Sequence, residues 1–350
     1  MSTETKTPVV RRETKNSISV DYEGKMSFAD RLKNKLKESN TWILAGVNVL
    51  KFILMLGVSF VILHPFIAKI AASFMTKEDV IDATIGIIPK HPTLEIYKAI
   101  IVENLYFEAF LNTLLMSLMC AVIQTLIAAV VGYGLAKFKF RGNKLLMVFV
   151  IVTMVIPNTA LQTALTDHFE SFDLGVVQSF GYEGILQLIN GGKDVDLTHT
   201  FLPMLILSLS GLALKNGLYI YMMNQFYKGI PDELEESAYV DGSGVFRTFV
   251  QIIIPLSVPM MITIFLFSFS WQWTDEFYDT VFFAGNDPVT MMPDIITTPP
   301  SLAANYAGTA LYENVIRNTA GMMVIAPLII MYLFCQRYLV EGIERSGIVG

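Results

Sequence analysis

Four carboxylates, Asp232, Glu233, Glu235 and Glu236, follow Pro231 almost without interruption and lead into Ser237, Ala238, Asp241, Gly242 and Gly244. Proline suits the first turn of a helix, and acids there meet the positive end of the helix dipole. The spacing therefore predicts a short acidic helix broken at Gly242 and Gly244. Apolar residues at 245, 246, 249, 250 and 252–254 predict a second short helix lying against an apolar phase, with Asp241 as its cap. A helix–glycine–helix corner of this kind has the shape to enter a groove on another protein. An ordinary acidic connector is the competing reading.

Two further groups carry polar chemistry. Lys215, followed by Asn216, interrupts a long apolar run. A cation at membrane depth costs roughly 2.5–3.5 kcal/mol on insertion scales. Lys215 must therefore snorkel or pair within a bundle, or else line a polar path. The second group is Trp271-Gln-Trp-Thr-Asp-Glu276, in which Trp271, Trp273, Asp275 and Glu276 combine flat apolar rings with short acids. Aromatic rings also concentrate at membrane interfaces, so an interfacial belt accounts for them equally. Asn112 and Gln124 are candidates for a path or for hydrogen bonds between helices.

The elements that must hold these groups are set by composition. The 350 residues are 53% hydrophobic and only 16% charged, against about 25% charged in ordinary soluble domains. The apolar residues are gathered into runs near the roughly 20 residues that a bilayer crossing needs. The expectation is an all-α integral membrane protein with six transmembrane helices: Val49–Ile70, Phe110–Leu135, Leu145–Leu165, Phe201–Met223, Val258–Phe283 and Met322–Phe334. Cys120 and Cys335 fall inside these runs and read as packing residues, with no metal site. Residues 1–45 read as a cytoplasmic tail, disordered over 1–25, with an amphipathic helix from Met26 marked by Phe28, Leu32 and Leu36. Residues 46–107 hold the first helix and an extracytoplasmic segment. A five-helix core occupies 108–338 with the corner at 230–255, and 339–350 forms a second cytoplasmic tail.

Charge sets the orientation. Lys137, Lys139, Arg141 and Lys144 lie between the second and third runs with no acid among them, which marks an inside loop. Asp167, Glu170, Asp173, Glu183, Asp194 and Asp196 face a single Lys193 after the third run and mark an outside segment. With six spans, both termini then lie in the cytoplasm.

The corner resembles the EAA motif of permeases in binding-protein-dependent ABC importers. Glu236, Ser237 and Ala238 stand at its first three positions, Gly242 is its glycine, and Ile254-Pro255 closes it. Ser237 replaces an alanine, a small change in volume. The terminal run from Gln336 is similar to the end of the smaller maltose-type sugar permease, and Trp271–Glu276 resembles the Trp-Asn-Glu signature of sugar permeases. The likeness covers about residues 108–350. It implies a type I ABC importer permease fold and a coupling helix seated on a separate ATPase, with Glu236 paired to a base of that ATPase. It also implies a second, homologous permease subunit, an extracytoplasmic sugar-binding protein, and a sugar or oligosaccharide as cargo.

Aromatic rings and short acids suit such a cargo, because sugars present apolar ring faces and hydroxyl edges. Membrane lipid is the remaining partner; no cofactor and no nucleic acid are expected. The chain carries no Gly-x-x-x-x-Gly-Lys-Ser/Thr loop, so ATP hydrolysis must come from the partner and the subunit is not an enzyme. A permease for an amino acid or peptide is the alternative within the class. A secondary transporter or an intramembrane enzyme would need paired polar groups at mid-span, whereas the four histidines, His64, His91, His168 and His199, lie near or beyond the outer boundary.

Overall fold

The computed structural model describes residues 10–13, 19–22, 39–173, 195–283, 289–303 and 309–347. They divide into two units, Met1–Ala68 and Lys69–Gly350. In the first, the stretch expected to be a disordered tail contains a short antiparallel pair, β1 (Val10–Glu13) and β2 (Ser19–Tyr22), with Val10 opposite Tyr22. A valine and a tyrosine in these strands fit the β preference of branched and aromatic residues. The amphipathic helix expected from Met26 lies outside the described residues. Helix α1 (Ser39–Ala72) contains the first expected span, and its apolar side chains from Val47 to Ile70 are widely exposed, as a lipid-facing helix requires.

In the second unit, α2 (Lys77–Ile81) and α3 (Glu95–Glu103) precede the long α4 (Tyr106–Lys137). Small residues recur along the buried side of α4: Ala109, Ser117, Ala121, Ala128 and Gly132. Small side chains let helix backbones approach, which is how packing compensates in lipid for the missing hydrophobic drive. A buried polar relay also ties the helices. Ser268 donates to Gln124 Oε1 (2.7 Å), and Gln124 Nε2 donates to Ser208 Oγ (3.2 Å). The sequence left Gln124 open between a path and a hydrogen-bond role, and here it bridges three segments.

Among the described residues, four helices are long and apolar enough to cross a membrane: Gly46–Ala72, Tyr106–Lys137, Val245–Trp273 and Ala310–Leu339. The number becomes five if one bent pair is counted as a span. Three of the six spans expected as continuous helices are interrupted. The third divides into α5 (Asn143–Val155) and α6 (Gln162–Glu170), with a 3-10 turn at Asn158–Leu161 and a bend of 97°. Pro157 causes the break, since it lacks an N–H and forces Ile156 into extended backbone (ψ 121°).

The fourth divides into α7 (Leu202–Ser210) and α8 (Asn216–Lys228). Gly211 (φ +76°) and Lys215 (φ +63°) both take the left-handed conformation, which a continuous helix does not contain. The fifth helix, α10 (Val245–Trp273), starts earlier than expected and stops at Trp273, and α11 (Phe277–Phe282) follows separately. Asp275 sets that restart by accepting the backbone N–H groups of Phe277 and Tyr278 (3.2 and 3.3 Å). The last helix, α12 (Thr309–Gly347), contains the sixth span and runs on through most of the expected C-terminal tail.

Candidate functional site

The corner is built on α9 (Glu233–Val240) and the start of α10. Glycine at 242 is required by the way α9 ends. The N–H of Ser243 donates to the Ala238 carbonyl (2.9 Å) and that of Gly242 to Tyr239 (3.0 Å), with Gly242 at φ +82°. These are the two bonds of a Schellman cap, whose left-handed residue is normally glycine. Asp241 is the C-cap of α9, and Gly244 is the N-cap of the following helix without any side-chain cap bond. The expectation that Asp241 caps that helix is thus corrected. The second helix is not a separate short one either: Val245–Thr248 continues through a π turn at Phe249–Ile253 into Ile254–Trp273. Pro255 accounts for the widened turn, because its ring would clash with the carbonyl of Gln251 four residues before it.

The acids of α9 divide between two faces. Glu235 is only 7% exposed and points back to α4, where Tyr133 donates to its Oε2 (3.2 Å) and Lys137 Nζ stands 3.5 Å from its Oε1. Lys137 also donates to Asp232 Oδ1 (2.6 Å) and to the carbonyl of Ile230 (2.7 Å), and its side chain is 7% exposed. The hydrogen bond from Lys137 holds the Asp232 carboxyl below the usual carboxylate range. Ala238 is buried beside this anchor. Glu233, Glu236, Ser237 and Asp241 are exposed on the other side, together with Val240 at 87% and Phe246 at 79%. One face of the corner is therefore fastened to α4, and the other carries acids and unburied apolar groups.

The remaining candidates do not converge on one point. Lys215 sits in the break between α7 and α8 and lines a cavity of about 480 Å³ with Asn158, Leu161, Phe277 and Tyr278. Its Nζ is 4.5 Å from the centroid of the Trp271 ring, a cation–π distance. Trp273 faces the core: it is 1% exposed, donates from Nε1 to the Val324 carbonyl (2.9 Å), and packs on Phe269 and Phe110. Asp275 is used as the cap of α11, and Glu276 is exposed at the same helix start. Asn112 donates to the Thr290 carbonyl (3.1 Å) and so ties α4 to the segment after α11.

Among the described residues, sequence reading did not mark the side chain of Asn216 or that of Gln272. Asn216 is fully buried with both polar atoms unpartnered, and Gln272 Nε2 is likewise buried without a partner. The only available signal was their position beside Lys215 and Trp271. Among the described residues no group of His, Cys, Asp and Glu is arranged to hold a metal.

Residues 124–345 match the family described as "Binding-protein-dependent transport system inner membrane component". The chain is 30% identical over 263 residues to the alpha-glucoside transport system permease protein AglG of Rhizobium meliloti, covering 75% of this chain and 62% of AglG. It is 24% identical over 326 residues to the maltodextrin transport system permease protein MalD of Streptococcus pneumoniae, covering 92% and 99%. It is also 24% identical over 308 residues to the arabinooligosaccharides transport system permease protein AraQ of Halalkalibacterium halodurans, covering 86% and 98%. The crystal structure of a bacterial ABC transporter involved in import of the acidic polysaccharide alginate contains a chain of similar fold. That chain has a TM-score of 0.60 at 19% identity, with 90% of this chain and 99% of the other covered.

Proposed function

Because the chain belongs to the family of binding-protein-dependent transport system inner membrane components, we propose that it is the permease subunit of an ATP-driven importer for a sugar or oligosaccharide. The observation that carries the coupling role is the two-faced corner. Lys137, Tyr133 and Glu235 fix α9 to α4, so a push on the exposed face is transmitted to a spanning helix as a rigid displacement. The exposed face offers Val240 and Phe246 to an apolar groove and Glu233, Glu236 and Asp241 to surrounding bases. Its occupant is a cytoplasmic ABC ATPase. A second homologous permease completes the pathway, and an extracytoplasmic binding protein delivers the cargo. The sugar class is supported by the cargo names of AglG, MalD and AraQ. Lys215 and Trp271, beside the cavity at the helix break, are the side chains of this subunit assigned to the path.

The corner is tested in the assembled transporter. Val240→Asp with Phe246→Asp removes two docking side chains, each worth about 1.5–3 kcal/mol when fully buried. Glu236→Lys reverses a charge on the same face. Both variants are expected to insert normally yet lose bound ATPase and sugar-stimulated hydrolysis by tenfold or more, the former effect being equivalent to at least about 1.4 kcal/mol. Wild-type recovery of ATPase with wild-type stimulation would remove the corner from the coupling role.

Orientation has a separate test. With Cys120 and Cys335 replaced by alanine, Thr200→Cys should react with an impermeant maleimide in intact cells. Lys139→Cys should react only after permeabilisation. The reverse pattern would place the corner outside and exclude an ATPase partner there.

A further inference from the structure

The loop that leaves α4 forms an open cleft of about 970 Å³ where α5 begins, with Lys228 at the end of α8 on its far wall. Four cations line it, Lys139, Arg141, Lys144 and Lys228, and no carboxylate does. Among the described residues none of the four forms an ion pair, whereas the neighbouring Lys137 is consumed by Asp232 and Glu235. The shape is fixed from within. Asn143 Nδ2 donates to the carbonyls of Leu135 (3.1 Å) and Phe138 (2.8 Å), and the Phe138 ring packs edge-on against Tyr133 at 5.6 Å. The first turn of α5 contains no acid, so its dipole adds to the positive potential.

The surroundings decide what kind of anion fits. No residue of α5 is buried, and Leu145, Leu146, Val148 and Phe149 along it are all exposed. A soluble anion would satisfy the cations and leave this apolar face uncovered. An acidic protein loop would do the same. An anionic phospholipid satisfies both at once, with phosphate over the cations and acyl chains along α5. We propose that the cleft is a binding site for the phosphate headgroup of an anionic phospholipid in the cytoplasmic leaflet. The leaflet rests on the orientation argued above, but headgroup selectivity does not, so the two can fail separately. Lipid held here would brace the loop that follows Lys137, the last residue of α4, which reaches the corner, making the membrane's charge an input to coupling.

The test uses the complete transporter in nanodiscs of phosphatidylcholine mixed with phosphatidylglycerol, followed by mass spectrometry of the lipid retained on the purified complex. Wild type should retain phosphatidylglycerol above its share of the bulk. Arg141→Gln with Lys144→Gln should lower that enrichment by about fivefold for each charge removed, down to the bulk ratio. Arg141→Lys with Lys144→Arg should keep it. Equal retention of the two lipids by wild type overturns the proposal without recourse to any variant. So does wild-type enrichment in the neutralised variant accompanied by loss of bound ATPase, which would give the cleft to a partner protein. Displacement of the retained lipid by millimolar inorganic phosphate would also overturn it, by marking a site for a free anion.

Discussion

Lys137→Met is expected to destabilise the permease by about 3 kcal/mol, the low end of what removing one member of a buried ion pair costs. The ammonium is the only cation beside Glu235 among the described residues. Its loss leaves that carboxylate at 7% exposure with one hydrogen bond from Tyr133. The exposed Asp232 would be rehydrated at little cost, so the penalty comes from Glu235. Pairing the change with Glu235→Leu should recover most of the loss, because replacing both charges by apolar groups of similar size is often close to neutral. Lys137→Arg should be intermediate, since it keeps the charge but not the geometry of two hydrogen bonds and an ion pair made at once. Thermal unfolding of the purified subunit followed by tryptophan fluorescence checks all three. A single Lys137→Met variant as stable as wild type would mean that α9 is held by something other than this anchor.

The corner also shows how far sequence reaches. The acids and the glycine break were legible at 232–244 because each has a local cause, the helix dipole and the left-handed backbone, whereas Pro255 was placed by the resemblance alone. Which acid faces inward was not legible. Glu235 and Glu236 are adjacent and chemically alike. Their separation into an anchor and an exposed group depends on where Lys137 lies, almost one hundred residues earlier in the chain.

The same limit applies to the spans. Apolar runs announce membrane helices, and α1, α4 and α12 follow that expectation. Hydropathy does not register a backbone reversal, however, so the breaks at Pro157 and at Gly211–Lys215 were hidden inside runs of suitable length. Lys215 was marked as a cost within a continuous helix. In the structure it stands at a helix start beside a cavity, where the charge is exposed. Trp273 and Trp271 looked equivalent because indole suits a core, an interface or a sugar equally well. The fold separates them: Trp273 is buried and donates from Nε1 to Val324, whereas Trp271 is exposed beneath Lys215.

Gly132→Ala and Gly217→Ala should each destabilise the bundle by about 1–3 kcal/mol, the usual range for forcing extra atoms into a packed interior. Both glycines mark places where α8 meets another helix with no room for a side chain. A Cβ at 132 would stand 2.7 Å from the Cβ of Met223 and 3.1 Å from the backbone nitrogen of Asn224. A Cβ at 217 would meet the hydroxyl of Thr153 and lie 2.9 Å from the Val150 carbonyl oxygen. Backbone atoms cannot rotate aside, so in both cases the helices must separate. Separation at 132 would also strain the bond from Asn224 Nδ2 to the Gly132 carbonyl (3.3 Å).

Gly134 provides the control, two residues along α4, where a Cβ would meet nothing within 4 Å. Gly134→Ala should be neutral or stabilising by up to about 1 kcal/mol, since alanine is the better helix former. Thermal unfolding and protease resistance of the three variants in one detergent give the comparison. If Gly132→Ala behaved as Gly134→Ala does, close approach of α4 and α8 would not be what holds them together. Bundle stability would then rest on other contacts of α4, the Gln124 bonds to Ser208 of α7 and Ser268 of α10 first among them, and Gln124→Leu would become the damaging change.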